Sequence, residues 1–223
     1  TIESLVDEAK RLVDKGVKEI MLIAQELTYY GLDIYKRREL AKLLHALADI
    51  KGLEWIRLHY SYPSKFPMEI IDVMKERENI CNYLDMPLQH ASNRMLKTMK
   101  RQITREEMED IIGEIKNKIP DICLRTTLIS GFPGEREDDV EELKSFLIKM
   151  KFDRVGIFSY SHEEGTSAFN LADNIPEEEK QKRAEEIMEV QQGISYQKNL
   201  QKVGKTFKVI VDKKEAGKYL GRT

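Results

Sequence analysis

The chain has 223 residues, of which 34% are charged and 41% hydrophobic, and 37 Lys and Arg against 39 Asp and Glu give a net charge of −2. Charged residues interrupt every apolar stretch before the roughly 18 residues that a membrane helix needs, and no signal-peptide pattern opens the chain. We therefore expect one domain, with room for a small appendage, and no membrane contact. The two cysteines, Cys81 and Cys123, can form neither a disulfide framework nor a local metal site, which favours a cytoplasmic location.

The first half of the chain begins with a helical pattern. Apolar residues recur at helical spacing over 2–13, and Gly16 then ends the predicted helix. Because the chain starts at Thr1 rather than Met and enters this helix at once, we expect it to be a fragment of a longer protein. The uninterrupted apolar run within 18–25 predicts a strand buried on both faces.

Helices and strands then alternate along the chain. Helical patterns occupy about 36–51, 67–78, 104–117 and 135–150, and strand-like runs occupy 18–25, 54–60, 82–88, 122–130 and 153–160. Neighbouring parallel strands need crossover connections, which the intervening helices supply. The sequence therefore predicts an α/β fold around a parallel sheet.

The pattern changes after residue 175. Pro176 and three following glutamates predict the start of a long helix that runs to about residue 202. The segments 205–212 and 218–222 then predict a β-hairpin. We divide the chain into a core (1–175), a helix (176–202) and the start of a small β-domain (203–223). Residues 196–223 hold eight basic and two acidic side chains, which favours either contact with RNA or an ordinary solvated surface.

Polar residues follow the predicted strands, at the end of a parallel sheet where ligands bind. They include Gln25, Glu26, His59, Gln89, His90 and Glu163, and Arg125 lies within the fourth predicted strand. The two cysteines lie at strand beginnings instead and are predicted to be core thiols. The turn Ile129-Ser-Gly-Phe-Pro-Gly-Glu135 is either a ligand loop or a simple connection, and its carboxylates exclude a phosphate-binding P-loop.

Three histidines at strand ends permit a second interpretation. His59, His90 and His162 would form a metal-dependent hydrolase site with Glu163 as the base. No His-x-His pair on the first strand supports it. This alternative stays open at this point.

Four segments together resemble the radical S-adenosylmethionine methylthiotransferases: 22–33, 85–92, 125–135 and 152–168. Residues 203–223 resemble the start of that family's RNA-binding-type TRAM domain. Pro-Leu-Gln-His at 87–90 and Glu-Glu-Gly-Thr at 163–166 resemble the branch that modifies an aspartate of ribosomal protein S12, and tRNA adenosine is the sibling alternative. The chain departs from this branch at 25–28, where a carboxylate is kept, and at Arg136.

The resemblance implies a fold and a set of cofactors. The fold would be a partial, TIM-like (β/α)6 barrel without its first strand, followed by a long helix and a truncated TRAM domain. The cofactors would be S-adenosylmethionine and two [4Fe-4S] clusters whose cysteine ligands are absent from this chain, so the fragment would be inactive alone. Ribosomal protein S12 would be the partner, with a possible RNA contact through the basic C-terminal segment.

The resemblance also implies roles for individual residues. Those implied to bind the cofactor are Gln25, Glu26, Gln89, Arg125, Ile129, Gly131 and Phe158, the last through its backbone. His90 and Glu163 would contact the substrate, and no residue of this chain would be catalytic or bind a metal. Two structural alternatives remain open: Arg125 would pair with Asp85, and Ile129 and Gly131 would simply pack in the core.

Overall fold

The computed structural model describes residues 1–223 and is built around a five-stranded parallel sheet. Its strands stand side by side in chain order: β1 (Glu19–Leu22), β2 (Trp55–Leu58), β3 (Ile80–Asp85), β4 (Cys123–Ser130) and β5 (Arg154–Ser159). The predicted parallel α/β fold is confirmed. Each strand overlaps its predicted run, although β1 ends at Leu22 rather than at residue 25.

Seven helices accompany the strands: α1 (Ile2–Asp14), α2 (Leu40–Ala48), α3 (Glu69–Glu76), α4 (Asn93–Thr98), α5 (Arg105–Lys118), α6 (Glu137–Met150) and α7 (Glu177–Leu200). Capping boxes begin α1 and α5, because Thr1 and Thr104 each accept a hydrogen bond from the residue three positions on. The sequence prediction missed α4, whose six residues are too short to show helical periodicity.

The two faces of the sheet differ in burial. Along β4, the side chains of Leu124, Thr126, Leu128 and Ser130 are buried, whereas those between them are half-buried. The buried set lies on the outer face, against the helices, and its leucines belong to the large hydrophobic core. The opposite, inner face is open. The expectation that β1 is buried on both faces is therefore wrong, since Met21 is 45% exposed.

The C-terminal part consists of α7 and a small hairpin. Helix α7 lies along β4, β5 and α6. The hairpin pairs β6 (Ile210–Glu215) with antiparallel β7 (Lys218–Arg222), so its first strand begins five residues later than predicted. It reaches the core through Arg222, which pairs with Glu19 of β1. The division at residues 175 and 202 stays a prediction, and no helix is both long and apolar enough to cross a membrane.

Both cysteines lie at the beginnings of strands, as predicted. Cys81 is the second residue of β3 and Cys123 the first of β4, and both thiols are free. They are only partly buried, so the expectation of core thiols is wrong. Burial nevertheless raises the pKa of both thiols, which favours their protonated form.

Candidate functional site

An ion pair occupies the inner face where β3 and β4 meet. Asp85 and Arg125 are partners in the strand register, and Asp85 Oδ1 accepts a hydrogen bond from Arg125 Nη1 at 2.9 Å. Asp85 is 1% exposed, whereas the Arg125 side chain keeps 34% of its surface exposed. The structure therefore shows the alternative in which Arg125 pairs with Asp85. Its exposed part remains accessible to a second anion.

His59 lies beside this pair, beyond the end of β2. Its Nδ1 is 3.6 Å from Asp85 Oδ2. Burial lowers the pKa of His59, and the charge of Asp85 opposes that effect only in part. Three buried polar atoms here have no hydrogen-bond partner: His59 Nε2, Ser61 Oγ and Asp85 Oδ2. Because buried polar atoms in native proteins are nearly always paired, this part of the inner face suits a polar ligand or ordered water.

Glu26 joins the loops that follow β1 and β2. Its Oε1 accepts hydrogen bonds from Thr28 N at 2.9 Å and Thr28 Oγ1 at 2.6 Å, which begins the short 3-10 helix Leu27–Tyr29. Its Oε2 accepts from Tyr62 N at 3.0 Å. Since each carboxylate oxygen accepts about two hydrogen bonds, Oε2 can take one more donor. Gln25 beside it is exposed.

Gln89 is fixed next to β4 by its backbone. It adopts a left-handed conformation with φ of 75°, which is uncommon for a residue other than glycine. Its N–H donates to Thr127 O at 2.9 Å, and its C=O accepts from Ile129 N at 2.8 Å. Ile129 in turn stands in register with Phe158, whose ring is 58% exposed. Gln89, Arg125, Ile129 and Phe158 thus come together along β4 and β5.

His90 lies outside this group. Its ring is 0% exposed, and Nδ1 accepts hydrogen bonds from Ala91 N at 2.9 Å and Ser92 N at 3.0 Å. These two donors place the ring proton on Nε2, which lies 3.3 Å from Glu135 Oε2. The expectation that His90 faces the opening is therefore wrong, because its ring holds the loop after β3 in place.

Gly131 differs from its expected surroundings, whereas Glu163 lies beyond β5 as predicted. Gly131 is buried with φ of 72°, and a Cβ there would lie 2.2 Å from Lys180 Cγ. The group that approaches Gly131 closely is therefore the protein's own α7. Glu163 is exposed in the loop after β5, where its Oε1 accepts a hydrogen bond from Ser161 Oγ at 2.5 Å.

The residues present do not form a metal or cluster site. No group of three or more His, Cys, Asp or Glu side chains is arranged to hold a metal ion. The three histidines of the hydrolase interpretation have separate surroundings, and His162 stacks on Phe169 at 4.6 Å. That interpretation therefore loses its structural basis. The two partly buried thiols also do not fit a [4Fe-4S] cluster, which needs three or four thiolates together.

Sequence reasoning missed two features of this region. It did not place His59 against Asp85, and it treated Glu135 as a helix-terminal acid rather than a buried carboxylate. The sequence does carry a signal for the contact between His59 and Asp85. His59 and Asp85 continue the alternation of β2 and β3 onto the inner face, beyond apolar residues of the outer face. Nothing in the sequence marks Glu135 as buried.

The fold and its polar inner face define a class of protein. The family model of the Radical SAM superfamily matches residues 1–147, and the chain belongs to this superfamily. Two solved structures agree with the fold. TsrM, a radical S-adenosylmethionine methyltransferase from Kitasatospora setae, covers 71% of this chain and 31% of its own with a TM-score of 0.56 at 19% identity. Elp3 from Methanocaldococcus infernus covers 83% of this chain and 48% of its own, with a TM-score of 0.55 at 14% identity.

Relatives with higher identity carry a more specific name. The chain is 54% identical over 223 residues to ribosomal protein uS12 methylthiotransferase RimO of Flavobacterium psychrophilum. It is also 54% identical over 222 residues to the RimO of Cytophaga hutchinsonii. All of this chain takes part in both matches, against 52% and 51% of the relatives. The chain thus spans about half the length of the curated relatives it matches.

Proposed function

We propose that the chain is the barrel part of a radical S-adenosylmethionine methylthiotransferase that adds a methylthio group to the β-carbon of an aspartate in ribosomal protein S12. The observation that carries this proposal is the 54% identity along the whole chain to relatives named for that reaction. The branch-specific segments 87–90 and 163–166 support the same substrate. No specific observation favours tRNA adenosine, which serves as the second substrate in the test.

S-adenosylmethionine, when bound, supplies the methyl group and the radical. The chain's own residues position it. Glu26 Oε2 has room for one more donor and suits the amino group of the cofactor, with exposed Gln25 beside it. The exposed part of Arg125 suits a carboxylate, because Asp85 occupies only one side of the guanidinium. The three unpaired polar atoms around His59 supply further hydrogen bonds at the same face.

An apolar wall accompanies these polar groups. Ile129 and Phe158 stand opposite each other in the register of β4 and β5, on the inner face. An adenine ring packs well on such a surface, since an exposed aromatic ring and a branched side chain both exclude water from a planar base. Gln89, whose backbone is locked to β4 beside Ile129, lies next to this wall.

Two parts of the whole reaction lie outside these residues. The clusters need thiolates that this chain does not bring together, so we propose that other segments of the protein supply them. We also propose that the basic segment 196–223 contacts RNA of the small ribosomal subunit. Its hairpin is exposed, and Tyr219 and Phe207 are among its exposed rings.

The test uses the full-length protein with both clusters reconstituted anaerobically. It is incubated with S-adenosylmethionine and reductant in the presence of ribosomal protein S12, and separately with a tRNA anticodon arm, and both products are analysed by mass spectrometry. A mass gain equal to CH3S replacing H on one S12 aspartate is expected. Modification of the tRNA alone, or of neither substrate, would contradict the proposal.

A second measurement tests the apolar wall. Phe158→Ala removes a ring that is already largely exposed, so we expect little loss of stability but weaker binding of S-adenosylmethionine, by about tenfold. Ile148→Ala on α6 is the matched control, because Ile148 is exposed to a similar degree but lies on a helix away from the inner face. Equal affinity in all three proteins would exclude Phe158 from the binding surface.

A further inference from the structure

We propose that Lys180 and Arg183, near the start of α7, are positioning residues that hold the turn 130–135 in the shape needed to bind the cofactor. This inference rests on the proposed function, because it assumes that Ile129, which leads into this turn, contacts S-adenosylmethionine. Both side chains contact the turn or the residues beside it, so they would act on the cofactor through the turn.

Arg183 acts through the buried carboxylate of Glu135. Glu135 Oε1 accepts hydrogen bonds from Gly131 N at 2.9 Å and from Arg183 Nη1 at 3.0 Å. The first bond closes the turn, since it joins the residue at its end to the residue near its beginning. Arg183 Nη1 lies 3.2 Å from the backbone oxygen of Glu135 as well. A buried carboxylate without a cation is costly, so Arg183 makes this closure possible.

Lys180 holds the other end of the turn. Its backbone oxygen accepts a hydrogen bond from Ser130 Oγ at 3.0 Å. Its aliphatic stem lies so close to Gly131 that no side chain fits there. Its Nζ donates to Asp173 Oδ2 at 2.7 Å and lies 3.4 Å from Tyr160 O, at the end of β5. The stem is therefore fixed between the ends of β4 and β5.

A third contact reaches the same carboxylate from another loop. His90 Nε2 lies 3.3 Å from Glu135 Oε2, and neither atom makes a hydrogen bond. Glu135 thus faces the loop after β3 with one oxygen and bonds to α7 with the other. Removing Arg183 would leave the carboxylate with one hydrogen-bond donor, the backbone N–H of Gly131. We expect the turn then to open towards water.

The remainder of α7 provides a control, because it packs on the opposite end of the strands. Lys198 Nζ donates to Asp153 Oδ2 at 2.6 Å, at the start of β5. Asp153 is as buried as many core residues, so Lys198→Met also leaves a carboxylate without its cation. The two ion pairs differ in place rather than in kind. A purely structural role for Arg183 predicts the same outcome for both variants.

The experiment compares wild type, Arg183→Gln, Arg183→Lys and Lys198→Met in the full-length protein with its clusters. Amide hydrogen exchange of residues 129–135 reports on the turn, equilibrium binding gives the affinity for S-adenosylmethionine, and urea unfolding gives the stability. Arg183→Gln is expected to speed exchange in the turn and to weaken cofactor binding by about tenfold, the effect of one charged hydrogen bond. Arg183→Lys should restore part of both, and Lys198→Met should change stability alone.

Two results would overturn the inference. One is equal exchange and equal affinity in Arg183→Gln and wild type. The other is a loss of affinity in Lys198→Met as large as that in Arg183→Gln, which would show that general weakening of α7 is sufficient. If wild type itself binds no S-adenosylmethionine, the proposed function fails instead, and this outcome is distinct from the other two.

Discussion

The outer and inner faces of the central sheet are made by alternate residues of the same strands, yet they differ in almost every physical property. On the outer face, Leu58, Leu84 and Leu128 are fully buried under helices. On the inner face, Arg57, Asp85 and Arg125 form ion pairs, and an aromatic ring such as Phe158 stays exposed. The outer face supplies most of the folding energy, while the inner face holds groups that are only partly satisfied by the protein.

The largest expected effect comes from breaking the outer face. Leu128→Ala removes a fully buried side chain from the main core and should lower the free energy of unfolding by about 2–5 kcal/mol. Thr127→Ala, at the adjacent half-buried position on the inner face, should cost about 1 kcal/mol or less. Urea denaturation followed by circular dichroism measures both. Similar losses at the two positions would contradict the division between the faces.

A smaller difference in stability is expected between an arginine of the inner face and one at the molecular surface. Glu19 pairs with Arg57, across 2.9 Å and largely buried, and also with Arg222 of the hairpin, which is more exposed. Arg57 additionally lies over the ring of Tyr83 at 4.8 Å. Arg57→Gln should therefore cost about 1–3 kcal/mol of stability, and Arg222→Gln about 1 kcal/mol or less.

The same denaturation assay measures both arginine variants. Because the two side chains share one carboxylate, the double variant should lose more than the sum of the single ones. An equal loss in the two single variants would show that burial of the inner-face pair is unimportant.

The smallest expected effect is a pH dependence that arises on the inner face. Burial lowers the pKa of His59 below its ordinary value of 6.5, so the unfolded chain binds a proton more readily than the folded one. The stability that the neutral ring contributes is therefore present above about pH 6.5 and is lost as the pH falls below it. The loss should be small, since the ring is partly exposed.

His59→Gln should reduce this loss between about pH 7 and pH 5, as measured by urea denaturation at each pH. His162→Gln, in the loop after β5, is the control for removing an imidazole elsewhere. If His162→Gln flattened the pH dependence as much as His59→Gln, the effect would not arise from the inner face.

The contrast between the faces also explains which features the sequence could predict. Outer-face residues such as Leu124 and Leu128 leave a periodic pattern, and the strands, their parallel order and most helices follow from it. The surroundings of a polar residue depend on what the rest of the chain brings to it. The sequence predicts that Arg125 pairs either with Asp85 or with a ligand. Only the register of β3 and β4 shows that Asp85 lies opposite Arg125.

The turn after β4 shows the same limit. Its glycines and its glutamate predict a tight connection, but its partners come from α7. Lys180 lies 49 residues after Gly131, which it contacts, and Arg183 lies 48 residues after Glu135. Local patterns cannot reveal contacts of that separation. His90 illustrates the consequence, since its position beyond a strand predicts an open site, whereas its ring is fully buried and bonded to the backbone of Ala91 and Ser92.

Within these 223 residues the sheet is open at both sides, because β1 and β5 each have a neighbour on one side only. In a closed barrel, the number and stagger of the strands fix the radius. Here no ring of hydrogen bonds does so, and the curvature depends on how the helices fill the space behind the strands. The width of the space along the inner face of the sheet is therefore adjustable by side-chain volume on the outer face. The residues that set it never contact a ligand bound at the inner face.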